Sequence, residues 1–504
     1  PGITESLPEF ERRWAASGRW ALRLTQRAQH ASAYGGVAAG VHPEPAGADT
    51  SAARLVADAA RAFREQRWSA SRAVAEEALA LDSCRVSAWH VLGAAHYMLD
   101  EPDSALSAWN QVGAPTLDLV RVDGLSRTRH AVISGALELD DDQMLTARSL
   151  ALARRRVSLV PAVSMSRVDY RPMATGRADV DVALRERPLW PRSTAQWGVI
   201  GVRAITERAV TAAISSPTGG GEIIEASYRW WENRPRAELA LTTPELFGWQ
   251  GRTRIAFADE VQTYAGDART TTADSPGAGS ADRVVETTRE GTVTRSQWLT
   301  PAWMVDASAG YHHVRQRGNY ASIGSALMWA AAHDGCRVRA GALLWERIDD
   351  GEPSHGRLDI SADQRAELSP VIELATRAGW SAVDAAAPRS LWPGAGTGQG
   401  REMLLRAHPL LDQGVITGSA FAPSLLSAGA ETTRWMVAGV LGAALFTDAA
   451  VPVGGAQPAR LIVDAGVGAR LHPPGEHGYV RIDIAAGLTE RTHAISVAWV
   501  SGEY

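Results

Sequence analysis

Gly394 to Pro409 reads GAGTGQGREMLLRAHP, and its alternate glycines followed by arginines admit two chemistries. A glycine loop can cradle a phosphate with its backbone N–H groups when a helix starts just behind it. Here no Lys-Ser or Lys-Thr pair follows and Pro409 comes soon after, so the glycines better suit a long loop that folds back. Attention moves to Arg406. A second glycine run, PTGGGE from Pro217 to Glu222, also lacks a following lysine and helix, and it reads as a hairpin turn. His312 and His313 are adjacent, point to opposite faces of a strand, make no chelate and read as solvated. Asp140 to Asp142 precede MLTARSLALARR and read as helix N-terminal capping rather than a cation site. Cys84 and Cys336 lie too far apart for paired-cysteine zinc spacing or a disulfide framework. No serine, cysteine or histidine sits in a recognisable nucleophile motif, although scattered Ser, His and Asp can still meet in space. The expected catalytic, cofactor and metal sets are therefore empty.

The chain has 504 residues, which suggests two to four units or one large barrel with attachments. All 51 basic residues are arginine, yet the net charge is -5, so a general nucleic-acid binder is not expected. No apolar run approaches the roughly 18 residues of a membrane-spanning helix; even MVAGVLGAALF, Met436 to Phe446, stops at Thr447 and Asp448. PGITESLPEF has neither a basic start nor an apolar core, so any secretory signal is expected to be absent or already removed.

Four zones follow. Residues 1–50 form an N-terminal helical or linker segment, and 51–115 carry apolar residues at helical spacing with internal repetition. Trp68/Pro102, Ser71/Ala105, Phe63/Tyr97, Ala59/Gly93 and Ala60/Ala94 share a period of about 34 residues. Only about two repeats fit, so they are expected to pack on a neighbour or hold a partner. Residues 116–189 alternate as strand, helix, helix, strand, strand. Residues 190–504 read as strand and turn throughout. In ARLIVDAGVGARL, Leu461, Val463, Ala465, Val467, Ala469 and Leu471 share one face while Asp464 and Arg470 share the other; Val480, Ile482 and Ile484 similarly oppose Arg481 and Asp483. Such charges suit a water-filled lumen better than lipid or a dry core. Asp334-Gly335 and Asn233 mark reversals, and Trp230, Trp231, Trp298, Trp303, Trp329, Trp345 and Trp435 suit an aromatic girdle. The length accommodates about sixteen strands.

LGAAHYMLDEPDSALSAW resembles the tetratricopeptide family. The zone 116–189 resembles a POTRA domain through Val122, Gly124, Arg127, Thr128, Val168, Tyr170, Pro172, Val180, Val182, Glu186, Arg187 and Pro188. The C-terminal strands, from LLRAHPLLDQGVITG to YVRIDIAAGL, resemble the outer-membrane assembly and translocation barrels of the BamA, TamA and FhaC group, the bacterial surface antigen type.

That resemblance implies a membrane β-barrel of about sixteen antiparallel strands behind a small α+β POTRA-like domain and an α-helical repeat segment. It implies a long extracellular loop whose arginine meets acidic residues of the inner wall. Leu405 takes the signature's aliphatic place, Arg406 the arginine, Ala407 the glycine and His408 the aromatic. Glu431 and Asp448 take the two acidic wall positions. The first and last strands, about Gln196 to Ile214 and Thr492 to Tyr504, would form a seam, with Ile495, Val497 and Trp499 facing outward. The implied localisation is the bacterial outer membrane with the N-terminal part in the periplasm. Implied partners are the bilayer and its outer-membrane lipids, with protein partners or clients at the helical repeats and the POTRA edge strand. The implied work is insertion, assembly or polypeptide translocation; a barrel that only anchors a surface or secretion complex is the alternative.

Overall fold

The computed structural model describes residues 50–501, except 174, 191–196, 199, 202–203, 206–207, 266–282, 316, 332–334, 350–352, 398–403, 437–438, 456–457 and 473–477. The zone 1–50 and Asp334 therefore lie outside the described residues, Thr50 aside. The chain divides into an N-terminal unit ending at Arg187 and a larger C-terminal unit.

Four helices open the N-terminal unit: α1 (Thr50–Arg64), α2 (Trp68–Leu81), α3 (Val86–Met98) and α4 (Pro102–Asn110). Trp68 and Pro102 each begin the second helix of a pair, which is where their shared spacing comes from. The helices approach closely because small residues line the contact: Ala59, Ala75, Ala78, Ala94 and Ala105 are fully buried. The Ser71 hydroxyl donates to the Ala59 carbonyl at 2.9 Å, joining α2 to α1. Next come β1 (Thr116–Asp123), α5 (His130–Leu137), α6 (Ala147–Val157), β2 (Val163–Pro172) and β3 (Arg177–Glu186). They form a three-stranded sheet in the order β1-β3-β2, parallel on one side of β3 and antiparallel on the other. One hydrophobic core runs through both halves, uniting Tyr97, Leu106 and Trp109 of the helices with Leu117, Ile133, Leu150, Tyr170 and Val180. The helical pairs also keep a small cluster of their own, Ala59, Ala75, Val91, Leu92 and Ala108, beside the core they share with their neighbour.

The Glu186 carboxylate accepts from the N–H groups of Arg127 and Thr128 and from the Ser126 hydroxyl. Burial pushes that carboxyl up, but these three donors bring it down to about 2. The acidic run Asp140 to Asp142 does not cap α6. Thr146 is the N-cap and forms a capping box with Ser149, whose hydroxyl sits closer to the helix start than any of the acids. Asp142 instead pairs with Arg177.

The C-terminal unit is a large, mostly antiparallel sheet of seventeen strands. Fifteen are long: β4 (Ala209–Ser215), β5 (Ile223–Trp231), β6 (Arg234–Leu246), β7 (Trp249–Tyr264), β8 (Val284–Trp298), β9 (Trp303–Val314), β10 (Gly318–Ala330), β11 (Cys336–Arg347), β12 (His355–Ser369), β13 (Ile372–Val383), β16 (Ser424–Met436), β17 (Leu441–Val453), β18 (Ile462–Leu471), β19 (Gly478–Gly487) and β20 (His493–Ser501). Two of two residues each, β14 (Leu411–Asp412) and β15 (Val415–Ile416), belong to the long connection between β13 and β16. Every long strand pairs antiparallel with the next, including β13 with β16 across that connection. The strand order traces a ring, yet among the described residues no register pair joins β20 to β4, so the sheet is not closed. Pro217 to Glu222 joins β4 to β5, with the Ser216 N–H donating to the Glu222 carbonyl.

Three sequence expectations change here. Among the described residues the strands number seventeen, fifteen of them long, against the about sixteen expected. Among the described residues between Gln196 and Ile214, strand starts at Ala209, and Trp197, Ile200, Gly201, Ala204 and Ile205, which recur at helical spacing, are helical. The tryptophans do not share one face. Trp230 and Trp303 are exposed, whereas Trp298 and Trp345 are buried and Trp435 donates to Glu373 at 3.3 Å. A shift of one residue along a strand moves a side chain to the opposite face, which is why tryptophan count alone misplaces them. No helix of the described residues is long and apolar enough to cross a membrane, a criterion that says nothing of strands.

Candidate functional site

Alternation gives the sheet two chemically different faces. On β17 to β19, Leu445, Val467, Ile482 and Ile484 are exposed on one face, while Asp448, Asp464, Arg470, Arg481 and Asp483 are buried on the other. The connection between β13 and β16 lies against this second, inner face. Its hairpin β14–β15 pairs with the end of β7 through Val415 and Ile416, and Glu286 of β8 accepts from the backbone N–H of Arg389 and Ser390 at 2.9 and 3.0 Å. The same connection reaches β16 to β19 through Leu404 to His408, all buried.

Arg406 is 1% exposed. Its guanidinium donates to Asp448 at 2.8 and 3.1 Å, to Glu431 at 2.6 Å and to Asp483 at 3.3 Å, and it lies 3.6 Å from the Phe446 ring centroid. Five donors in a planar fork let one arginine engage three carboxylates from three strands. Arg470 shares two of them, bonding Glu431 at 2.8 Å and Asp483 at 2.6 Å, and Arg481 lies 3.0 Å from Asp483. Arg377 is 3.7 Å from Asp448. Glu431, Asp448 and Asp483 each therefore face at least two arginines, the condition for keeping such charges away from water.

The neighbours of Arg406 extend the attachment. Leu405 is fully buried among Ala395, Leu425, Ala450 and Ile462, with a left-handed φ of 60°. Ala407 donates its backbone N–H to Asp464 at 2.6 Å and packs on Phe446 and Ala485. His408 places Nδ1 2.8 Å from Asp464 and Nε2 3.3 Å from Glu490. Only a doubly protonated imidazole donates to both, and the bond to Asp464 raises the His408 pKa against the desolvation that lowers it. Gly396 has φ 148°, and a Cβ there would lie 2.7 Å from the His408 carbonyl oxygen. Gln399, Gly400 and Arg401 of the glycine stretch lie outside the described residues.

No family model matches the chain. No curated protein matches it. Among solved structures it is similar to BamA from Haemophilus ducreyi lacking POTRA domains 1–3, at 11% identity, 76% of this chain and 84% of that one, with a TM-score of 0.44. CdiB from Escherichia coli is similar at 11% identity over 77% and 76% of the two chains, TM-score 0.48. CdiB from Acinetobacter baumannii is similar at 9% identity over 82% and 81%, TM-score 0.47.

At the end of the sheet, Ile495 is 74% exposed and Val497 42%, both on the apolar outer face of β20; the side chain of Trp499 lies outside the described residues. A second charged cluster occupies the inner face of β5 to β8. Arg229 and Arg236 meet Glu260 at 2.6 and 2.5 Å, Arg236 meets Glu238 at 2.6 Å, and Arg254 meets Glu225 at 2.7 Å. It borders a cavity of about 590 Å³. His312 opens onto that cavity and is 4% exposed, contrary to the solvated position its sequence suggests. Trp345 covers it, with the two rings stacked at 4.0 Å. His313, its neighbour, is exposed and bonds Asn319 at 2.9 Å.

Proposed function

We propose that this chain is an outer-membrane β-barrel of the insertion or polypeptide-translocation kind, with its N-terminal unit in the periplasm. Support comes from the apolar outward faces of the long strands and the charged inward faces of β5 to β8 and β16 to β19, which suit lipid on one side and a polar lumen on the other. The single observation that carries the reading is Arg406, which ties a connection crossing the interior to carboxylates of three strands. In this reading Arg406, Glu431 and Asp448 form the loop-to-lumen contact, Leu405, Ala407 and His408 complete the loop's signature, and β20 is one side of the seam.

The N-terminal unit supplies the binding surface. Its α+β part is POTRA-like, its helices are tetratricopeptide-like, and β2 offers an edge to an incoming strand. Depletion of the protein followed by an inventory of outer-membrane proteins tests the proposal: lowered levels of other barrels or of one exported polypeptide are expected. Unchanged levels together with stable co-purifying chains favour the anchoring alternative. The core shared by the helical pairs and the α+β part favours that second reading specifically, because it makes one stiff arm suited to holding a partner.

A further inference from the structure

Register brings three chemically complementary side chains together on the inner face of β8, β9 and β10. Glu290 of β8 stands directly opposite His312 of β9, and Ser322 of β10 stands opposite Gly310, two residues before His312. All three point to the same face because strand residues two apart do so. Ser322 Oγ is 2.8 Å from His312 Nε2. His312 Nδ1 is 3.2 Å from Glu290 Oε2, at ion-pair distance though short of an aligned hydrogen bond. Stacking on Trp345 fixes the imidazole plane. With Nε2 accepting the serine proton, the remaining N–H faces the carboxylate, so the tautomer that engages Ser322 is also the one Glu290 favours.

The group borders the cavity of about 590 Å³, which Thr292, Thr294 and Ser308 line as well. Gly310 keeps the space beside the hydroxyl open. A Cβ there would lie 2.8 Å from Ser322 Oγ and 2.9 Å from His312 Nε2. No loop, metal or partner is needed to assemble this arrangement.

We propose that Ser322, His312 and Glu290 are the nucleophile, general base and orienting carboxylate for hydrolysis of carboxylic esters that enter the interior of the barrel. Ser322 Oγ attacks the ester carbonyl as its proton passes to His312 Nε2, forming an acyl-serine. His312 returns that proton to the departing alcohol. A water molecule then gives a proton to His312 and attacks the acyl carbon, releasing the acid and restoring the serine with the returned proton. Throughout, Glu290 faces the imidazolium that forms and offsets its charge. The backbone of Ser322 belongs to a strand paired on both sides, which leaves no pair of free N–H groups for an oxyanion. Esters, with their better leaving groups, fit this limitation; amides do not.

The test uses the purified full chain in detergent, exposed to a fluorophosphonate probe and to p-nitrophenyl butyrate. Covalent labelling of Ser322, found by peptide mapping, is expected, with loss of labelling in Ser322→Ala. His312→Gln is expected to slow labelling and ester hydrolysis at least about 100-fold, the scale of a positioned general base. Gly310→Ala retains all three groups but fills the space beside Oγ, so it is expected to block the probe while circular dichroism shows an unchanged sheet. An unlabelled parent protein, labelling that survives Ser322→Ala, or equal rates in folded His312→Gln would each overturn the proposal.

Discussion

On β16 to β19 and the connection against them, three arginines (Arg406, Arg470, Arg481) meet three acids (Glu431, Asp448, Asp483), and a fourth acid, Asp464, faces His408 and the Ala407 N–H. On β5 to β8 three arginines (Arg229, Arg236, Arg254) meet four more (Glu225, Glu238, Glu260, Glu290). The two clusters are alike in kind. Their cover differs. The first cluster lies beneath Leu404 to His408, with Arg406, Asp448 and Asp483 essentially inaccessible, whereas the second borders a cavity and its ion-paired side chains remain partly exposed. Similar charges should therefore act as a structural tie on one wall and as a solvated polar lining on the other, because screening and desolvation follow access to water.

The largest expected effect comes from breaking the covered cluster. Arg406→Ala leaves Asp448 and Glu431 short of a partner and should destabilise the loop's attachment by about 3 to 5 kcal/mol. Faster proteolysis between Gly394 and Arg401 in the purified chain measures it, with circular dichroism of the sheet unchanged; equal cleavage of variant and parent would remove the distinction between the walls. Next is pH. The His408 pKa is raised above 6.5, so its contribution is complete below that value and fades as pH rises through the higher folded value. Loop cleavage should accelerate on the alkaline side, and His408→Gln should flatten the profile. Acceleration on acidification instead would contradict the pairing with Asp464.

The N-terminal unit offers the opposite sign as an internal reference. Glu186, held at about 2, contributes fully above pH 4.5 and loses that contribution as pH falls toward 2. Glu186→Gln should therefore flatten the acid profile of that unit's stability, read in the intact chain by hydrogen exchange of amides between residues 50 and 187, and an unchanged profile would contradict the assignment. Smallest is Arg236→Ala on the open wall, expected to cost about 1 kcal/mol or less and to lose even that at high salt. A cost rivalling that of Arg406→Ala in a denaturant titration would show both walls to be equally closed.

Alternation made much of the sheet legible, since a strand's two faces follow from period two without knowledge of its partners. Asp464, Arg470, Arg481 and Asp483 could be assigned to one face on that basis. What alternation cannot supply is register, which depends on hairpin length. The meeting of Glu290, His312 and Ser322 needs two registers at once, and no motif in the sequence marks it. Trp298 and Trp345 lie inward, against the girdle position, for the related reason that an aromatic signal carries no face of its own. Asp140 to Asp142 misled differently: Thr146 and Ser149, closer to the helix start, provide a capping box, and local hydrogen bonds outweigh a more distant charge. Arg406 was the most legible site residue because its partners lie downstream in simple strands.

Fourteen reversals separate β4 from β20, so these two edge strands run in the same direction. Joining them directly would give the ring a parallel ladder with slanted bonds, unlike any other long pairing in it. A single further strand running the other way would match both edges at once. Strand parity alone thus makes this boundary different from every hairpin around it.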